Sequence, residues 1–64
     1  MSADNYLIII DEDNGDYALY MGCASTGKHD NEPIATNGDL KELVKFAEDY
    51  KAENIVEYGL TFDI

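Results

Sequence analysis

The chain has 64 residues, a net charge of −10 at pH 7 and one cysteine. The length limits it to one domain. The single cysteine excludes an internal disulfide and a zinc site built on several cysteines. Its hydrophobic residues, 45% of the chain with five tyrosines and two phenylalanines, are enough to build a core. So acidic a surface repels nucleic acids and anionic membranes and attracts basic proteins, although acidic domains also carry charge for solubility alone.

The N-terminal region predicts neither secretion nor membrane insertion. It lacks a basic segment, and its longest apolar run, Tyr6 to Ile10, is too short to cross a membrane. The lone Cys23 fits a reducing compartment, so we expect a cytoplasmic protein. A domain this small also buries little surface, so we expect marginal stability unless it pairs with a partner.

A β-hairpin is the first predicted element. Residues 6–12 and 17–23 are rich in strand-forming side chains, and Asn14-Gly15 between them is typical of a two-residue type I′ turn. The segment 24–37 follows as a long polar loop, in which Ile34 and Ala35 are a candidate for a short extra strand.

An amphipathic helix is predicted over 39–51, because its apolar residues recur at helical spacing. Either Thr36 or Asn37 caps it, or Asp39 does so with Glu42 in a capping box. The final segment alternates between apolar and polar residues, which is typical of a half-buried strand. The apolar members of this alternation are Val56, Tyr58, Leu60, Phe62 and Ile64.

These elements predict a single α+β domain over residues 1–64, in the order β-β-α-β. Placing the last strand beside the first gives a three-stranded antiparallel sheet of order 2-1-3, with one helix packed on one face. The predicted turn sets the register of the hairpin, because side chains alternate between the two faces of a sheet. The helix would then cover Ile8, Ile10, Leu19, Met21, Val56, Tyr58, Leu60 and Phe62.

The opposite face of the predicted sheet is apolar and has no helix to cover it. It suggests an interface with a partner or a homodimer, unless the 24–37 loop folds across it. The predicted residues of this face are Leu7, Ile9, Ala18, Tyr20 and Ile55.

Acidic residues crowd the predicted hairpin tip, and no lysine or arginine lies between Met1 and Gly27. Carboxylates held on a rigid turn resemble the spaced negative charge of a nucleic-acid backbone. Tyr17 and Tyr20 are the candidate contact residues beside them, because tyrosine is frequent at interfaces. The acidic candidates are Asp11, Glu12, Asp13 and Asp16.

No pattern predicts an enzyme, a cofactor or a metal site. The run 11–16 resembles a calcium-binding EF-hand loop, but its glycine comes one position early and no glutamate closes the loop. Cys23 and His29 lack a third group to orient a nucleophilic pair. Thr26-Gly27-Lys28 does not complete a phosphate-binding loop.

Two resemblances add to this interpretation. The stretch 6–18, followed by a loop and an amphipathic helix, resembles the N-terminal part of HicB-type antitoxins, although the pattern departs from that family after Gly22. The segments 3–6 and 57–62 resemble small acidic phage or prophage proteins of unassigned function. The first resemblance implies a small RNase toxin as partner, and the second implies an inhibitor of a host protein.

The leading hypothesis is a non-enzymatic inhibitor that binds a basic host protein by imitating nucleic-acid charge. It predicts no direct nucleic-acid binding and no membrane association. The alternatives are a HicB-like antitoxin fragment that binds a small RNase, and a structural homodimer whose charge serves solubility.

Overall fold

The computed structural model describes residues 4–54 and 56–64, which form an α+β arrangement of one helix and a mixed five-stranded sheet. The elements follow one another as β1 (Asn5–Asp11), β2 (Tyr17–Cys23), β3 (Lys28–His29), β4 (Ala35–Asn37), α1 (Leu40–Glu53) and β5 (Leu60–Asp63). The α+β class and the presence of a single helix in the described residues are as predicted.

The sheet differs from the predicted antiparallel one in the direction of its last strand. Its strand order is β3-β2-β1-β5, with β4 also paired to β2. β1 therefore lies between β2 and the last strand, as expected, but β5 runs parallel to β1. The reason is β4, which pairs antiparallel to β2 and so reverses the chain before the helix. A helical crossover from β4 then returns β5 parallel to β1.

The register of the hairpin is shifted by one residue from the one that a two-residue turn at Asn14-Gly15 predicts, in which Ile10 lies opposite Leu19. Ile9 lies opposite Leu19, and Asp11 lies opposite Tyr17. The connection is longer than two residues, because residues 12–16 form a loop that is closed by the N–H of Glu12 donating to the carbonyl oxygen of Asp16 (3.1 Å). A shift of one residue moves the side chains of β1 to the other face of the sheet.

The core consequently forms between α1 and the face of β1 that was predicted to be uncovered. Leu7, Ile9 and Leu19 of the sheet and Leu43 and Ala47 of the helix are at most 1% exposed. Partly buried side chains surround them: Tyr17, Met21, Ile34, Ala35, Leu40, Val44, Tyr50, Val56 and Leu60.

The helix begins where the capping signals predicted. The carboxylate of Asp39 accepts from the N–H of Lys41 (3.0 Å), which marks Asp39 as the N-cap. The side chain of Asn37 accepts from the N–H of Asp39 (2.8 Å), the donor that a capping-box glutamate would bind. Both proposed cap positions therefore contribute, and α1 extends to Glu53, two residues beyond the predicted end.

The segment 24–37 builds one edge of the sheet instead of remaining a loop. β3 and β4 pair with successive parts of β2. The predicted extra strand is present at Ala35–Asn37, while Ile34 packs against the core and donates its N–H to the carbonyl oxygen of Leu19 (2.7 Å).

Candidate functional site

The hairpin loop places four carboxylates at one end of the sheet. We define the acidic tip as Asp11, Glu12, Asp13 and Asp16, all of which are exposed. Asp11 ends β1, and the other members belong to the loop that leads into β2. The sequence prediction of an exposed acidic turn at this position is therefore matched by the structure, although the turn has a different length.

The loop is ordered by its own side chains. The carboxylate of Asp11 accepts from the N–H of Asp13 (2.9 Å), and the amide oxygen of Asn14 accepts from the N–H of Asp16 (3.1 Å). Asp13 and Gly15 have positive φ angles of 63° and 91°. Aspartate and glycine are residue types that adopt this left-handed conformation readily. The composition of the loop thus explains why its backbone adopts a defined conformation.

No cation lies within ion-pair distance of the acidic tip in the described part of the chain. The ion pair found among the described residues is remote from the tip: it joins Lys51 and Glu48 on α1 (3.5 Å between Nζ and Oε2). Lys28 lies on β3, and the remaining lysines lie on α1. Within residues 4–54 and 56–64, the negative charge of the tip is consequently not neutralised by an ion pair.

Glu12 also connects the tip to the sheet face opposite the helix. Its carboxylate accepts from the hydroxyl of Tyr20 (2.5 Å). This hydrogen bond raises the pKa of Tyr20, and burial and the negative charge of Glu12 raise the pKa further. The ring of His29 lies 4.5 Å from the ring of Tyr20 between centroids. We call the face that carries these residues the open face.

The two tyrosines predicted to provide contact area do not lie together. Tyr17 is half-buried and packs against the core on the helix side of the sheet. Tyr20 belongs to the open face, but only 9% of it is exposed and its hydroxyl is held by Glu12. Of the two, Tyr20 is the one that contacts the acidic tip, through Glu12.

The predicted second interface is wrong for its two residues in β1. Leu7 and Ile9 are 0% exposed beneath α1, because the longer hairpin loop reverses the faces of β1. Ala18 is buried on the open face, and Ile55 lies outside the described residues. The half-buried apolar residues of the open face are instead Tyr6, Ile8 and Ile10.

Sequence reasoning missed the exposed apolar residues of the last strand. Tyr58 and Phe62 were expected beneath the helix, yet they are 59% and 49% exposed, and Ile64 is 63% exposed. For Tyr58 the available signal was Gly59, whose φ of 78° interrupts the alternating pattern just before β5. Phe62 follows this glycine and lies on the same face as Leu60, so its exposure has no such signal. Phe46 of α1 is also 45% exposed, and it stacks on Tyr50 (6.4 Å between centroids).

The structure does not bring Cys23 and His29 together. His29 lies opposite Gly22 in the sheet, and Cys23 lies opposite Lys28, so the two side chains point to different faces. The Cys23 thiol contacts the hydroxyl of Ser25 (3.1 Å between Sγ and Oγ), and hydrogen bonds from Ser25 and Thr26 lower its pKa. The imidazole Nδ1 of His29 is 2.8 Å from the carbonyl oxygen of Asp30.

Comparisons with known proteins assign no family to this arrangement. The chain matches no protein-family model, and no curated protein and no solved structure is significantly similar to it. Within residues 4–54 and 56–64, no three His, Cys, Asp or Glu side chains are grouped to hold a metal ion. In the same residues, no helix is long and apolar enough to span a membrane.

Proposed function

We propose that this protein is a non-enzymatic binding module whose acidic tip engages a basic, nucleic-acid-binding surface of another protein. The observation that carries the proposal is the arrangement of the tip: four exposed carboxylates on an ordered loop, with no lysine in ion-pair range among the described residues. The proposal includes the inhibition of nucleic-acid binding by that partner.

The physical argument rests on charge held in a defined geometry. Attraction between this tip and a basic surface accelerates encounter and excludes acidic partners, and it weakens as salt screens the charges. The side-chain hydrogen bonds of Asp11 and Asn14 hold the loop before a partner arrives. Less conformational entropy is therefore lost on binding than with a disordered acidic tail.

The test neutralises the tip while keeping its hydrogen bonds. In the variant D11N/E12Q/D13N/D16N, the amide oxygens at positions 11 and 12 still accept from the N–H of Asp13 and from Tyr20, as the carboxylates do. The matched control D30N/E32Q/D49N/E53Q removes the same amount of charge from exposed positions elsewhere. Each protein is tagged, incubated with bacterial lysate and eluted with a salt gradient, and the eluted proteins are identified by mass spectrometry.

We expect basic nucleic-acid-binding proteins to elute at moderate salt from the native protein and from the control, and to be lost from the tip variant. Adding excess duplex DNA should displace them. If the captured proteins resist high salt, or remain bound to the tip variant, the proposal is wrong.

The other candidate functions make different predictions in the same experiment. A HicB-like role requires that the captured protein be a small RNase, whose activity the native chain suppresses. A homodimer with charge for solubility requires capture of no basic protein. The homodimer has lost two of its predicted contact residues, because Leu7 and Ile9 are buried beneath α1.

A further inference from the structure

The strand β5 forms an edge of the sheet that nothing covers in the described residues. β5 pairs with β1 on one side, and the strand order places no strand on its other side. The apolar side chains along it become more exposed toward its end. Leu60 is half-buried against the core, Phe62 is 49% exposed and Ile64 is 63% exposed. An edge of this kind is a template for pairing with another strand.

On this side, the backbone groups of β5 have no strand partner within residues 4–54 and 56–64. The carbonyl oxygen of Gly59 accepts from the N–H of Leu7 (2.8 Å), so Gly59 directs its backbone toward β1. Backbone groups of successive residues in a strand point to alternate sides. Thr61 and Asp63 therefore also face β1, whereas the N–H and C=O groups of Leu60 and Phe62 face outward.

The two edges of the sheet differ in how they are protected. The β2 side is closed by the very short strands β3 and β4, with Lys28 in β3 and Pro33 just before β4. Short strands, lysine and proline are the devices that prevent unwanted pairing at sheet edges. β5 contains no lysine and no proline, and its single charged residue is Asp63.

Charge along β5 specifies the kind of strand that fits. Asp4 lies close enough to Tyr58 to raise the pKa of that phenol by its negative charge and by a hydrogen bond. Glu57 and Asp63 add exposed carboxylates, while the lysines lie on β3 and α1. Because Asp63 lies beside Ile10, which immediately precedes Asp11, the edge also leads to the acidic tip.

We propose that an extended basic segment of the partner adds to β5 as a further strand, pairs with the outward backbone groups of Leu60 and Phe62, and continues toward the acidic tip. This inference rests on the proposed function and names the form in which the basic partner binds. When a peptide adds to a sheet as a strand, main-chain hydrogen bonds provide the affinity and alternate side chains provide the specificity. A second copy of the chain is the disfavoured occupant, since each copy carries a net charge of −10.

The test uses a soluble peptide of alternating lysine and valine as the probe. Backbone amide shifts of the full chain are followed by NMR during titration, and affinity is measured by calorimetry. The variant F62P removes the outward N–H together with the phenyl ring, and the control F62A removes the ring alone. Proline is tolerated in edge strands where the N–H faces solvent.

We expect the amide shifts of Leu60 and Phe62 to change, and F62P to bind the peptide about three- to tenfold more weakly than F62A, as the loss of a hydrogen bond predicts. If F62P does not fold, the native protein is titrated with the same peptide N-methylated at alternate positions, in both registers. The peptide methylated on the amides that face β5 should bind more weakly, because it loses the donors of the ladder, whereas methylation of the amides that face away should change the affinity little.

The remaining outcomes separate this inference from the proposed function. Strand addition is overturned if F62P binds the peptide as tightly as F62A, if the methylated peptides bind as tightly as the unmethylated one, and if the amide shifts are confined to the acidic tip. The proposed function of the tip is not affected by that result. Full affinity of the tip-neutralised variant counts against the tip function. Absence of peptide binding overturns strand addition, and so do concentration-dependent shifts of Leu60 and Phe62 without peptide, which identify a second copy at the edge.

Discussion

The two faces of the sheet contain similar apolar residues of β1 but are closed in different ways. On the helix face, Leu7 and Ile9 are 0% exposed beneath α1. On the open face, Ile8 and Ile10 are half-buried. Aromatic rings lie on this face, and a hydrogen bond joins Tyr20 to Glu12. One face is thus stabilised by packing between two layers, and the other by contacts within a single layer.

This difference shows what decides which face of a strand becomes the core. Residues 7–10 are apolar on both sides, so the strand itself favours neither face. The length of the hairpin loop determines which of them align with Leu19 and Met21 beneath the helix. A loop that contributes no side chain to the core therefore selects the core residues.

The largest effect on stability is expected when one isoleucine on each face is replaced in turn by alanine. Ile9→Ala removes a fully buried side chain, and we expect a loss of about 2–5 kcal/mol in the free energy of unfolding. Ile10→Ala on the open face should cost clearly less, because Ile10 already has solvent contact. Urea denaturation followed by circular dichroism measures both values. Equal losses would contradict the assignment of the two faces.

Much of the fold follows from local sequence signals, and the parts that do not follow depend on longer-range geometry. The hairpin, the helix with Asp39 at its start and the short strand near Ala35 come from patterns of a few residues. The register was wrong because Asn14-Gly15 suggested a shorter turn, whereas the positive φ angles fall at Asp13 and Gly15. The direction of β5 was wrong because β4 reverses the chain.

The candidate site also has features that follow from local sequence signals and features that do not. The position and exposure of the acidic tip follow from the sequence, because a run of charged residues beside a glycine favours a solvated loop. Tyr17 and Tyr20 lie on opposite faces because they are three residues apart in one strand. The exposure of Phe62, by contrast, depends on how far a single helix reaches across the sheet. No local pattern contains this information.

A second test concerns the closure of the open face by an aromatic ring. Tyr6 lies opposite Gly22, and a Cβ atom added at Gly22 would overlap the Tyr6 ring. We expect Gly22→Ala to displace the ring and to destabilise the protein by about 1–3 kcal/mol, the usual cost of overpacking. An aromatic residue that covers a cross-strand glycine is a known means of stabilising a sheet.

The double variant Y6A/G22A provides the control for this second test. With the ring removed, the added methyl group has space, so the two substitutions should be non-additive in thermal denaturation. Simple additivity would show that Tyr6 does not pack on Gly22.

The smallest effect on the free energy of unfolding is expected from removing the hydrogen bond of the open face, and this effect should depend on pH. Tyr20→Phe removes the bond to Glu12, and we expect a loss of about 0.5–1.5 kcal/mol at neutral pH. The pKa of Tyr20 is raised above the ordinary tyrosine value of 10.0. The stabilisation is therefore fully present below pH 10.0, and it is lost as the pH rises through the raised pKa of the folded state. Unfolding measured from neutral to alkaline pH should therefore show the native protein converging on the variant.

The control for this comparison is Tyr58→Phe. The pKa of Tyr58 is also raised, by Asp4, but this phenol is 59% exposed, so solvent screens its interaction and the substitution should change the alkaline profile little. If Tyr20→Phe leaves both the neutral stability and the alkaline decline unchanged, the bond to Glu12 does not contribute to closing the open face. That face would then be stabilised by ring packing alone, and Glu12 would belong entirely to the charge of the acidic tip.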